Sequence, residues 1–248
     1  MKKLFLSVCV LVVITFNYLQ ARTFETFCGA DNNFVAMMDL EIEQGLLVWK
    51  DKTNVGIVPI RIGWGVMNNM EVGVKLPYIF IQNNDNDFGD LAIYQKFKFI
   101  EESKSSPALS GGFELDLPTG NVAEAGGNYS EYTSKKLDFK LFLSAGKDLA
   151  KVRVFSSLGA NFINGGDESA LEYTGGVNLI LSKVFKLIGE LSGKKYSSNN
   201  YGWKSQGYAV PGFIYSPNEQ INIKFSMPIG LNNRSYDYGV NIGINHSF

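Results

Sequence analysis

The stretch Tyr236-Asp237-Tyr238-Gly239-Val240-Asn241-Ile242-Gly243-Ile244-Asn245-His246-Ser247-Phe248 alternates with period two. Tyr238, Val240, Ile242, Ile244 and Phe248 fall on one face; Gly239, Asn241, Gly243, Asn245 and Ser247 fall on the other. Apolar residues at every second position mark a strand, because successive strand side chains point to opposite faces. An amphipathic strand closed by an aromatic residue is also the signal that the barrel-insertion machinery of Gram-negative outer membranes is known to favour. Phe248 is therefore the expected insertion signal.

The same rhythm runs back along the chain. Ile221, Ile223, Phe225, Met227 and Ile229 alternate with Asn222, Lys224, Ser226, Pro228 and Gly230, and Leu137, Phe139, Leu141, Leu143 and Ala145 with Asp138, Lys140, Phe142, Ser144 and Gly146. Leu109, Phe113, Leu115 and Leu117 oppose Ser110, Gly112, Glu114 and Asp116. Asn, Asp, Gly and Ser clusters break the chain into twelve candidate strands near 41–50, 56–65, 70–82, 89–100, 107–117, 135–146, 151–164, 170–182, 185–196, 205–216, 220–230 and 236–248. Two are weakly marked: Pro211 interrupts 205–216, and Gln44 shares the apolar face of 41–50. An even count puts both termini at one end and sorts the connections into a short set and a longer, more polar set. That asymmetry predicts an all-β, transmembrane, antiparallel up-and-down barrel of about twelve strands with periplasmic termini. Aromatics agree: Trp49, Tyr78, Phe80, Tyr173, Tyr196, Tyr201, Trp203 and Tyr236 gather toward the long-loop end, and Trp64, Phe99, Phe185, Tyr215 and Phe248 toward the other. A soluble β-sandwich or lipocalin-like barrel shares the alternation with apolar meaning inside, and periodicity alone does not separate the two.

Composition narrows the function. The 248 residues carry 23 basic and 24 acidic side chains, which excludes a strongly basic nucleic-acid binder. Mean hydropathy is −0.02, and no run reaches the 18 or so apolar residues a membrane helix needs. The one histidine, His246, falls at the predicted periplasmic rim, where it cannot serve a serine-hydrolase site of the outer-membrane phospholipase kind. No catalytic site, cofactor or metal is expected. Lys2 and Lys3 precede an apolar Leu4 to Phe16 run and a Leu19-Gln20-Ala21 cleavage site, so residues 1–21 read as a signal peptide. Residues 22–40 then form a short N-terminal periplasmic segment or plug, and 41–248 the barrel. Removal of Cys9 leaves Cys28 alone, so no internal disulfide is expected.

Ile57-Val58-Pro59-Ile60-Arg61-Ile62-Gly63-Trp64-Gly65, followed by Met70-Glu71-Val72-Gly73-Val74-Lys75-Leu76-Pro77, is one hallmark of a barrel family. Phe88-Gly89-Asp90-Leu91-Ala92-Ile93 with Lys96-Phe97, and then Leu115-Asp116-Leu117-Pro118-Thr119-Gly120, extend it. Together they resemble the outer-membrane barrels labelled as phenol-degradation meta-pathway proteins, a family that includes the functional-amyloid secretion channels. The resemblance covers roughly residues 46–121. It departs at Asp87-Phe88, where the family more often has Gly and an aliphatic residue, and in the brevity of 22–40 beside the secretion channels. It implies barrel fold and location rather than a cargo.

With apolar residues facing lipid, the inward set holds Arg61, Lys75, Lys96, Lys98, Lys140, Arg153, Lys186, Lys194 and Lys224 against Glu41, Glu43, Glu71, Glu114, Asp116, Asp138, Glu172 and Glu190. Eight strands make a barrel filled by side chains, and twelve leave room for a narrow channel lined by these groups. The expected function is an outer-membrane channel passing small molecules, hydrophobic or aromatic ones among them. A pore-less structural or adhesive barrel and a peptide secretion channel are the alternatives. The expected partners are the bilayer, the barrel-assembly machinery and the transported small molecules or peptide, with no nucleic acid.

Overall fold

The computed structural model describes residues 40–50, 55–81, 86–120, 136–166, 168–198 and 202–248, and of the first strand only the side chains of Ile42, Leu46 and Val48. The strands are β1 (Leu40–Lys50), β2 (Val55–Met67), β3 (Met70–Ile81), β4 (Asp87–Phe88), β5 (Leu91–Ile100), β6 (Ala108–Leu117) and β7 (Asp138–Leu149). They continue as β8 (Val152–Ile163), β9 (Glu168–Ile180), β10 (Phe185–Ser198), β11 (Gly202–Tyr215), β12 (Ile221–Ser226), β13 (Ile229–Gly230) and β14 (Tyr238–Ser247). Neighbours pair antiparallel in chain order, and β1 pairs both β2, through Glu43 with Arg61, and β14, through Glu43 with Asn245. The sheet thus closes on itself, and closure removes the exposed edges that an open sheet would have to protect.

The fourteen strands make twelve staves, because β4 with β5 and β12 with β13 each continue one path round the ring. Proline explains both interruptions: Pro77 and Pro211 on the neighbouring strands, and Pro228 within the second interrupted stave, where Gly239 N–H donates to Pro228 O at 2.8 Å. Gly89 N–H donates to Pro77 O at 2.8 Å, and Met227 N–H to Pro211 O at 3.0 Å. Antiparallel residues in a hydrogen-bonded pair exchange two bonds, and proline has no N–H to return. The ladder therefore lapses at Gly89–Asp90 and at Met227–Pro228. Pro211, which weakened the reading of 205–216, sits within an otherwise continuous β11 and passes its cost to the facing stave.

Burial settles which face is which. Leu191 and Leu158, in the middle of β10 and β8, are 61% and 58% exposed, whereas Ser110 and Lys224 are 0% and 3% exposed. Ile62, Val74, Ile93, Leu141, Leu143, Val154, Val177 and Ile242 also point outward, and Glu71, Lys96, Ser144, Asn178, Asn222 and Asn245 point inward. A water-soluble sandwich or lipocalin-like barrel would invert this arrangement. Apolar outside and polar inside is a membrane-spanning barrel.

Leu40 and Ser247 start and finish at one rim, with Glu41 opposite Ser247, and the β2–β3, β5–β6, β7–β8, β9–β10 and β11–β12 turns lie at this same turn-side end. The length asymmetry is milder than the sequence predicts. At the turn side the Glu101–Pro107 connector is long and folded, because Lys147 Nζ donates to the carbonyls of Ser103, Lys104 (3.3 Å) and Ser106 (3.2 Å). At the opposite end, the β8–β9 connection is short. Most of the Pro118 to Ser134 loop, and the segment before Leu40, lie outside the described residues. Trp64, Phe99 and Tyr215 stand exposed on the outer surface near the turn side, and Phe185, Phe213 and Phe225 stack there at 5.5 and 5.4 Å. Tyr196 does not belong to the opposite belt as predicted: strand parity turns it inward, with Lys194 Nζ 5.0 Å from its ring centroid. Tyr236 lies half-buried in a connector, donating its N–H to Tyr208 Oη at 3.2 Å.

The β7–β8 hairpin holds Ala150 at φ 56°, the one non-glycine residue with positive φ among the described residues. That conformation costs an L-residue about 1 kcal/mol and costs glycine nothing. Ala150→Gly should raise the unfolding free energy by a few tenths to about 1 kcal/mol in a urea titration of lipid-reconstituted protein.

Candidate functional site

The inner wall of β2, β3, β5 and β6 carries one continuous polar network. Glu71 accepts from Arg61 Nη2 at 2.5 Å and from Tyr94 Oη at 2.8 Å, with Lys96 Nζ 3.7 Å away. Arg61 Nε donates to Tyr94 Oη at 2.8 Å and its guanidinium lies 5.0 Å from that ring's centroid. Lys75 Nζ also approaches the Tyr94 ring, at 5.4 Å, and donates to Glu114. The register explains the grouping: Arg61 is opposite Lys75, and Glu71 is opposite Lys96, on adjacent staves.

The second half of the network centres on Glu172 of β9. It accepts from Lys140 Nζ at 2.5 Å, from Asn161 Nδ2 at 2.7 Å and from Lys194 Nζ at 3.0 Å. Glu114 and Lys140 are direct cross-strand partners, so the two halves meet between β6 and β7. Acids and bases therefore alternate along an arc from β2 to β10, and pairing is what lets charges stand in a confined lumen. Asp116 and Asp138 are also register partners, one step toward the long-loop end.

Lys98 lies near the turn-side rim, 3.2 Å from Glu101. Arg153 is inward and buried, with Asp148 at 2.9 Å and Glu102 at 3.2 Å. Lys224 is inward on β12, and Lys186 and Glu190 are inward on β10, nearer the turn side than Lys194. The side chains of Glu41 and Glu43 lie outside the described residues. Phe248 follows β14 with its ring 4.2 Å from that of His246. Three participants were not singled out in the sequence: Tyr94, Asn161 and Glu102. The alternation in Leu91-Ala92-Ile93-Tyr94-Gln95-Lys96 already places Tyr94 on the face of Lys96, so the signal was present for it. Glu102 sits in a turn, where period-two reading is silent.

Aromatic side chains share the wall with the charges. A Cβ on Gly176 would stand 2.5 Å from Phe155 Cζ, and one on Gly112 would stand 2.9 Å from Phe142 Cζ. These two glycines let Phe155 and Phe142 lie flat against the inner surface, which is close approach rather than strand curvature. Two of the segments that carry the resemblance meet at one corner: Gly120 N–H donates to Asp90 Oδ1 at 2.7 Å, and Leu91 N–H to Thr119 Oγ1 at 2.9 Å. The Phe88 to Leu91 and Leu115 to Gly120 segments thus tie the start of β5 to the end of β6 at the long-loop rim.

The chain matches no protein-family model and no curated protein. It is similar in structure to an outer-membrane channel from Pseudomonas putida F1, with TM-score 0.60 and 12% identity over 93% of this chain and 100% of that one. The KdgM porin, in complex with disordered oligogalacturonate, gives TM-score 0.57 and 10% identity over 85% and 99% of the two chains. The NanC porin gives 0.54 and 10% over 84% and 98%. At such identities the likeness is one of fold, and it agrees with the inside-out burial: this chain is a twelve-stave β-barrel of the outer-membrane kind.

Proposed function

We propose that the protein is a channel in the outer membrane of a Gram-negative bacterium, with the turn-side rim in the periplasm, passing small solutes of low net charge. The observation that carries this reading is the alternating charged arc inside a ring whose outer surface is apolar. Twelve staves enclose a wider interior than the side-chain-filled eight-stranded barrel, and a wall of paired charges is one that a narrow lumen can carry. The paired acids and bases give no single-sign track that would favour strongly charged solutes of one sign. A wall of this kind discriminates through the local balance of charge, since screening inside a narrow lumen is weaker than in bulk water. Insertion by the assembly machinery at β14 and Phe248 belongs to the same reading.

Reconstitution in planar bilayers tests it. Glu114→Gln with Asp116→Asn removes two negative groups from the arc and should move the reversal potential in a salt gradient toward anion preference. If the wild type and a variant shortened in the 118–134 loop both fail to conduct, the channel reading loses to a structural barrel.

A further inference from the structure

Six inward hydroxyls share one register row of the wall. Ser110 stands opposite Ser144, Ser144 opposite Ser157, Ser157 opposite Thr174, Thr174 opposite Ser192 and Ser192 opposite Tyr208, from β6 to β11. Ser110 and Ser144 satisfy each other at 2.7 Å, and Tyr208 Oη receives the Tyr236 N–H. The middle of the row, on β8 to β10, borders two different surroundings. One step toward the long-loop end lie Lys194 and Glu172, whose side chains are 15% and 23% exposed, so solvent reaches the wall there. One step toward the turn side the Phe155 ring lies on Gly176, and beyond it Asn178 is 1% exposed. Both amide atoms of Asn178 are buried with no hydrogen-bonding partner. A dehydrated donor or acceptor left unmade costs about 1–3 kcal/mol, a deficit that a ligand carrying both functions removes.

We infer that this stretch of wall binds a neutral polyhydroxylated solute, a sugar or polyol, between the Ser157–Thr174–Ser192 row and Asn178, with a C–H face of the solute on Phe155. The inference rests on the channel reading for the solute's access to the lumen and adds the class of solute. A hydroxyl is donor and acceptor at once, so it pairs with the wall hydroxyls and with either end of the Asn178 amide. A hydrocarbon would leave all of these groups unmade, and a site built on hydrogen bonds rejects a solute that lacks them. Acids stand on both sides of the row: Glu172 is the next inward residue before Thr174 on β9, and Glu190 is the register partner of Gly176. An anion is therefore repelled from either direction. A cation meets Lys194, the next inward residue beyond Ser192 on β10, and finds Glu172 already engaged by Lys140 and Lys194. The apolar part of the solute has its own place. A side chain at position 176 would displace the Phe155 ring, and the electron-rich face of such a ring favours the C–H groups that a sugar or polyol presents between its hydroxyls.

Equilibrium dialysis of the folded full-length protein in detergent micelles against radiolabelled sorbitol tests it, with gluconate as the anionic counterpart of the same chain length. The wild type should bind sorbitol saturably and gluconate at least severalfold more weakly. Asn178→Leu and Thr174→Val should each weaken sorbitol binding severalfold with the β-sheet circular-dichroism signal kept. Ser156→Ala, on the outer surface of β8, should leave binding as it was. Absence of saturable sorbitol binding overturns the inference, as does binding that survives both Asn178→Leu and Thr174→Val unchanged, or gluconate binding as tight as that of sorbitol. Conductance in planar bilayers keeps the two readings apart. A conducting protein that binds no sorbitol leaves the channel standing without this site, and sorbitol binding by a protein that never conducts supports the site and defeats the channel reading.

Discussion

Glu71→Ala should lower the unfolding free energy by roughly 3–5 kcal/mol, more than any other single change in the lumen arc. Glu71 is fully buried, and its carboxylate receives Arg61 and Tyr94 while Lys96 stands 3.7 Å off. Removing it takes a buried carboxylate away from Arg61 and Lys96, and the phenol of Tyr94 loses that acceptor. The penalty is that of breaking a buried ion pair by removing one partner, which exceeds the net worth of the pair itself. Glu172 provides the comparison. It also gathers two lysines and an amide, yet it and Lys140 are each 23% exposed, so lumenal water screens the cations once the acid is gone. Glu172→Ala should therefore cost less, about 1–3 kcal/mol. Urea titration of both variants in lipid, followed by tryptophan fluorescence, reads the difference. Equal losses would mean that Glu71 is as wet as Glu172 and that its network does not knit the wall.

Much of this was readable from the chain because strand periodicity and barrel closure share one variable. Once Ile242 and Ile244 are assigned to one face, parity carries the assignment through the register to Val74, Ile93 and Leu158, and every inward charge follows. What parity does not carry is the third dimension of the wall. Tyr196 alternates with the polar set, but an aromatic near a strand end also suits an interface belt, and composition favoured the wrong choice. The two-residue strands were illegible for a different reason: Pro77 and Pro211 disturb the stave beside them, so the cause lies about 12 and 16 residues from the effect along the chain. Glu102 joins Arg153 only because Lys147 draws the Glu101–Pro107 connector back over the rim, a tertiary event with no local signature.

Leu191→Arg separates a membrane barrel from a soluble one by the sign and size of its effect. Leu191 is 61% exposed at the middle of β10, beside Gly175 and Ala209 on the outer surface. In a protein surrounded by water, exchanging a protruding leucine for arginine exposes less apolar surface, and the expected change lies within about half a kcal/mol. In a bilayer the guanidinium must enter hydrocarbon near the midplane, and the expected loss is about 2–4 kcal/mol. Leu181, 54% exposed in the turn-side connector after β9, has the same chemistry at a different depth. There the charge reaches the interface, so Leu181→Arg should cost no more than about 1 kcal/mol. The measurement is reversible urea unfolding in lipid vesicles of both variants against the wild type. A loss at position 191 that matches the loss at 181 would remove the depth dependence, and the outer apolar surface would then need a covering other than lipid.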